Sequence, residues 1–133
     1  MKKALINPDS LVKPVFPYSQ AVRVEISDAV LIFISGQVAS DKDGNLVGEN
    51  DITRQTECVF ENINEVLKAN GASFSDVVKA NIYVTNIAHH PAVTEVRKRY
   101  LADARPATTF VEVSKLAREG WLVEIEAIAI TQT

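Results

Sequence analysis

The sequence predicts an α+β fold in which one sheet packs against two helices, and three observations carry that prediction. Five stretches alternate apolar and polar side chains or run apolar throughout, as strands do. Two others repeat at helical spacing. Neither an internal repeat nor a long linker interrupts the series, so residues 1–133 are expected to form one domain, ordered strand, strand, helix, strand, helix, strand, strand.

Pro8, Pro14 and Pro17 each remove a backbone donor, which makes residues 7–19 an extended arm along an edge of the sheet. From Gln20 to Ile26 the side chains alternate, with Val22, Val24 and Ile26 on one side and Ala21, Arg23 and Glu25 on the other. Ser27-Asp28 turns into Ala29–Val38, apolar on both faces as far as Ser35, as in a fully buried strand. These two strands should form a hairpin. The Asp, Gly and Asn residues of 41–50 have loop composition, after which Asn50 or Asp51 can cap a helix that runs to Asn70 and stops at Gly71. Its buried stripe is Ile52, Thr56, Val59, Ile63, Val66 and Leu67. Cys58 lies outside that stripe and is expected to be a surface or rim thiol.

Phe74–Thr85 alternates again, with Val78, Ala80, Ile82 and Val84 on one side. His89-His90-Pro91 opens a second helix that buries Ala92, Val93, Val96 and Tyr100, and the run Arg97-Lys98-Arg99 forms its wet face. Ala104-Arg105-Pro106 ends it, and Ala107–Val113 is a fourth strand. The last strand follows Gly120: Trp121, Val123, Ile125, Ala127 and Ala129 point one way, Leu122, Glu124, Glu126, Ile128 and Ile130 the other. Two carboxylates bracketed by large apolar side chains are unusual on a solvated face. Strand statistics alone favour a structural role for them, and alternation cannot separate Glu124 from Glu126. Two helices cover one face of such a sheet, yet Leu31, Phe33, Leu122, Ile128 and Ile130 also need cover. In so short a chain that cover is most simply another copy of itself, with a ligand cleft between subunits near the two glutamates.

Composition narrows the function classes. With 47% hydrophobic and 23% charged residues the chain is globular, and no run is long enough to cross a bilayer. Asn7 and Pro8 cut the N-terminal apolar run too short for a signal peptide, so a cytoplasmic location is expected. One cysteine excludes an internal disulfide, adjacent His89 and His90 do not face the same way, and no metal or cofactor is expected. A net charge of −3 without clustered Lys and Arg argues against a nucleic-acid surface and hence against a ribonuclease.

Tyr18-Ser19-Gln20-Ala21-Val22, Ser35-Gly36-Gln37-Val38, Gln55-Thr56, Glu61-Asn62-Ile63, Gly71-Ala72-Ser73, Asp76-Val77-Val78-Lys79, Pro106-Ala107 and Val123–Ala129 occur in the order and spacing of the RidA (YjgF, L-PSP endoribonuclease-like) family. Together they cover Pro17 to Ile130, and the chain is similar to that family over nearly its whole length. The resemblance implies a chorismate-mutase-like fold, a homotrimer with small-molecule sites between subunits, no cofactor, and hydrolysis of enamine or imine intermediates to keto acids and ammonia. It further implies that Glu124 activates the attacking water and that Tyr18 and Gly36 line the pocket. Where deaminating members have Pro-Ala-Arg-Ser or Pro-Ala-Arg-Thr, however, this chain has Pro106-Ala107-Thr108-Thr109, and Thr94 replaces a pocket Asn. A hydroxyl in place of a guanidinium forfeits roughly 2 to 4 kcal/mol of carboxylate binding. Arg105 could reach the site from three residues earlier, although a cation capping the preceding helix is the plainer expectation. The alternative function is binding of a small metabolite without turnover.

Overall fold

Six strands, not five, form the sheet in the computed structural model, which describes residues 1–133. They are β1 (Lys2–Ile6), β2 (Ala21–Ile26), β3 (Ala29–Gln37), β4 (Val77–Val84), β5 (Ala107–Glu112) and β6 (Val123–Gln132), ordered β1-β2-β3-β6-β4-β5. Only β4 and β5 pair in parallel, so the sheet is mixed. Helix α1 (Ile52–Ala69) makes the crossover from β3 to β4, and α2 (His90–Leu101) the one from β4 to β5. Both lie on the same face.

The additional strand is β1. It pairs with β2 from Lys2↔Glu25 to Ile6↔Ala21 and takes the edge position expected for the arm that follows it. Residues 7–19 instead form a connection folded back on the hairpin: Asn7 Oδ1 accepts from the Gln20 N–H at 2.9 Å, Gln20 Nε2 donates to Val12 O at 2.8 Å, and Leu11 is buried. The β2–β3 hairpin forms in the expected place.

Asp51 is the N-cap of α1, accepting from the Arg54 N–H at 3.0 Å, and Gly71 follows the helix with φ +69°, a conformation that costs glycine little. The helix is buried over a wider arc than one stripe. Gln55, Cys58 and Phe60 join the expected residues because the 38–40 segment and α2 flank the helix as the sheet underlies it. The thiol of Cys58 therefore faces Ser40 O at 3.7 Å rather than solvent, and burial pushes its pKa up, away from reactivity. Phe60 stacks on Tyr100 at 4.8 Å between ring centres, and Phe74 meets both rings, closing the layer between α1 and α2.

The alternation read across Phe74–Thr85 changes phase near its start. Phe74–Asp76 is a single 3₁₀ turn, and a register irregularity between Val77 and Lys79 puts Val77 in the core and leaves Val78 exposed. A bulge inserts one residue, and one residue flips a strand's faces. Beyond it, Ala80, Ile82 and Val84 are buried as expected. Helix α2 ends at Leu101, four residues before Arg105, whose N–H donates to Leu101 O at 3.0 Å and whose φ is +48°.

The core lies between sheet and helices, with Val30, Ile32, Ile82, Val123, Ile125 and Ala129 of the sheet under Val59, Ile63, Val66, Leu67, Val93 and Val96 of the helices. No element of the chain covers the opposite face. There Val22, Val24, Leu31, Phe33, Ile128 and Ile130 sit side by side, with Phe33 41% and Ile130 43% exposed. No helix is long and apolar enough to cross a membrane.

Candidate functional site

Gln55 fixes the start of β6, the strand that carries both glutamates. Its fully buried side chain donates to Gly48 O at 3.0 Å and Gly120 O at 2.9 Å and accepts from the Leu122 N–H at 2.8 Å, tying α1 to the turn before β6. From there Val123, Ile125, Ala127 and Ala129 enter the core, which sends Glu124 and Glu126 to the uncovered face.

Their surroundings then differ. Glu126 lies opposite Asn81 of β4, and its Oε1 accepts from Asn81 Nδ2 at 3.1 Å and from the Tyr83 hydroxyl. That second bond raises the Tyr83 pKa, since the phenol must keep its proton to donate it. Glu124 lies opposite Tyr83 but has no hydrogen-bonding partner of its own. Burial, with the Glu126 charge as a smaller cause, raises its pKa above the ordinary carboxylate value. Its carboxylate rests against Gly36, where a Cβ would come within 2.1 Å of Glu124 Oε1, so any side chain at this position would push the carboxylate aside.

Gly36 belongs to an irregularity where the β3–β6 register shifts between Ile34 and Gln37. The kink is held from the arm side. Ser35 N–H donates to Gln20 O at 2.9 Å, Ser35 Oγ to Ser19 O at 2.5 Å, and Gln37 Nε2 to Gln20 Oε1 at 2.8 Å. Tyr18, next to Ser19, is 48% exposed at the end of the exposed run Val15-Phe16-Pro17. Gly36 and Glu124 thus meet at one strand irregularity, and Tyr18 precedes the Ser19–Gln20 segment bonded to it.

The remaining predicted residues lie elsewhere. Thr109 pairs with Asn81 and shares the uncovered face with Glu126, two strands away. Thr108 pairs with Ala80, whose side chain is under the helices, so it occupies the opposite face of the edge strand, and its hydroxyl donates to Pro106 O at 2.9 Å. Arg105 is exposed and forms no ion pair. Within one chain, therefore, Glu124 and Thr108 stand on opposite sides of the sheet.

Sequence reasoning did not single out Asn81 and Tyr83, which distinguish the two glutamates. Their signal was available only through the β4–β6 register. It also missed the setting of Thr108, where His90 and Arg97 of α2 flank Phe110 of β5, with ring centres 4.5 Å apart for His90 and the guanidinium carbon 5.8 Å from the Phe110 centre. Arg97 is consequently not on the wet face assigned to it, whereas Lys98 and Arg99 are ion-paired at the surface with Glu95 and Glu57.

Fold and site together define a class: a single α+β domain with one sheet face finished by its own helices, the other open, and a desolvated carboxylate at a strand irregularity on the open face. The family model described as Endoribonuclease L-PSP matches residues 9–131, and the chain belongs to that family, the RidA/YjgF family. It is 38% identical over 129 residues to a RutC family protein of Pyrococcus abyssi, covering 97% of this chain and 98% of the relative. It is 33% identical over 130 residues to a 2-iminobutanoate/2-iminopropanoate deaminase of Dermatophagoides farinae, covering 98% of each. Among solved structures, RidA from an Antarctic Psychrobacter species superposes with a TM-score of 0.81 at 35% identity, covering 95% of this chain and 98% of that one.

Proposed function

We propose that the chain hydrolyses the C=N bond of an enamine- or imine-derived substrate to a carbonyl product and ammonia, in clefts between the subunits of a homotrimer. The observation that carries this reading is Glu124: a carboxylate pressed against Gly36, without a protein donor, its pKa raised by burial. Such a group is suited to hold a water and take its proton, and it is a stronger base than an ordinary carboxylate. In the reaction the water oxygen bonds to the imine carbon, the π pair moves to nitrogen, and Glu124 receives the water proton. Glu124 returns that proton to the nitrogen to give the carbinolamine, whose hydroxyl proton passes to the amine as the C–N bond breaks, leaving the carbonyl and ammonia.

The same geometry supports a site shared between subunits. Thr108, at the position of the family's carboxylate clamp, and Glu124 lie on opposite faces of one sheet, so the two can serve one substrate only if they come from different copies. The uncovered apolar face offers the area for that contact. The naming of a relative as a 2-iminobutanoate/2-iminopropanoate deaminase supports the reaction class. The altered clamp favours a different substrate or, as the second reading, binding of a metabolite without turnover. A protein with net charge −3 remains a poor ribonuclease candidate despite the family description.

The test adds the protein to a serine or threonine dehydratase reaction with semicarbazide as a competing trap for the free imine. Acceleration of keto-acid release that Glu124→Gln abolishes is the expected result; no acceleration on any imine tried, with ligand binding intact, would leave the binding reading. Light scattering tests the assembly, and a monodisperse monomer at micromolar concentration would end both the trimer and the shared cleft.

A further inference from the structure

We propose that Arg97 of α2 takes the substrate carboxylate, replacing from the helix the cation that β5 lacks at Thr108. This rests on the hydrolase reading above and narrows its substrate to imines that carry a carboxylate. Thr108 and Phe110 are two residues apart on the same side of β5, about 7 Å along the strand, and α2 runs across that side. His90, Thr94 and Arg97 follow one another at spacings of four and three on α2 and therefore share a helix face.

Three features of that face point to an anionic ligand. First, Arg97 is oriented without being neutralised: its guanidinium stands over the Phe110 ring, yet it enters none of the chain's ion pairs, while its neighbours Lys98 and Arg99 both do. An aromatic ring holds a guanidinium in place and leaves its N–H edge free for a carboxylate. Second, the Thr94 hydroxyl, between His90 and Arg97 on the helix, is buried and has no hydrogen-bond partner. Buried hydroxyls are normally paired, and an unpaired one on the helix face that carries an arginine outside every ion pair fits a polar ligand atom. Third, His90 packs on the same Phe110 ring, with ring centres 4.5 Å apart. Arg105, the competing cation, is exposed and has no contact that would orient it.

The experiment measures binding, without turnover, of 2-oxobutanoate and of the carboxylate-free 2-butanone to wild type, Arg97→Met, Arg97→Lys and Arg105→Ala by calorimetry, with melting curves for each variant. Methionine keeps an aliphatic chain over Phe110 and removes only the charge. Arg97→Met should melt like wild type and bind 2-oxobutanoate about 10- to 100-fold more weakly, the worth of a charge-assisted pair, with 2-butanone unchanged. Arg97→Lys should fall between, having charge without the planar fork. Wild type that does not bind 2-oxobutanoate, equal losses for both ligands, or a loss confined to Arg105→Ala would overturn the proposal. Loss of 2-oxobutanoate affinity in Arg97→Met by a protein that never accelerates imine hydrolysis would uphold the anion site and remove the hydrolase reading.

Discussion

The two faces of β6 are built from alternate residues of one strand, yet only one of them is finished by the chain itself. Toward the helices, Val123, Ile125, Ala127 and Ala129 are buried. Away from them, Ile128 and Ile130 stay partly exposed beside Phe33 and Leu31, and between them and Leu122 stand Glu124 and Glu126. On the covered face the buried Gln55 side chain meets three backbone partners; the open face keeps one carboxylate, Glu124, without a partner. The candidate carboxylate thus stands where the chain leaves its own sheet uncovered.

Substitutions that act on one face alone should separate the two. Ile125→Ala removes buried methyl groups from the covered face and is expected to cost about 2–5 kcal/mol in chemical denaturation. Phe33→Asp, on the open face, should leave the circular dichroism of the chain intact and convert the proposed trimer to monomer in light scattering. If Phe33→Asp stayed trimeric, the open face would not be the interface.

Within the open face, Gly36→Ala sharpens the contrast between the glutamates. The new Cβ would collide with the end of the Glu124 side chain and not with backbone, so the carboxylate should swing aside while the fold survives. A displacement of that size is expected to reduce turnover or ligand affinity about 100-fold, with an unchanged melting temperature. Tyr83→Phe removes one of the two donors to Glu126 and should cost about 0.5–1.5 kcal/mol of stability, with a smaller effect on activity than Gly36→Ala. The reverse ranking would assign the catalytic part to Glu126.

The sequence made most of this architecture legible because burial writes periodicity, and the failures occur where it does not. β1 is exposed along four of its five residues, so its pairing leaves no apolar alternation to detect. Cys58 was misplaced because a single stripe describes a helix with one neighbour, whereas α1 has the sheet, α2 and the 38–40 segment around it. The bulge at Val77 reverses a strand's phase without changing its composition. For the site, the motif resemblance singled out Glu124, Gly36 and Tyr18, of which Glu124 and Gly36 touch. What separates Glu124 from Glu126 is a cross-strand partner in β4, about 45 residues away, and Arg97 is distinguished from Lys98 and Arg99 only by what each side chain meets. Neither difference is local in sequence.

The smallest expected effect is a dependence on pH. A carboxyl whose pKa is higher folded than unfolded holds more protons in the folded state between the two values, so stability falls as pH rises through that window. Below the ordinary carboxylate range, near pH 4, Glu124 is protonated in both states and its burial costs little. Above its folded pKa the chain carries a desolvated charge that it does not pair. Glu124→Gln should therefore be more stable than wild type at pH 7 and indistinguishable from it at pH 3, measured as the difference in denaturation midpoints. Activity, where present, should run the opposite way, since only the deprotonated carboxylate can accept the water proton, and the rising limb of kcat/KM against pH should lie above the usual carboxylate pKa. A stability gain for Glu124→Gln that persisted unchanged at pH 3 would mean that packing, and not the charge, separates the two proteins, and the desolvation cost assigned to Glu124 would have to be given up.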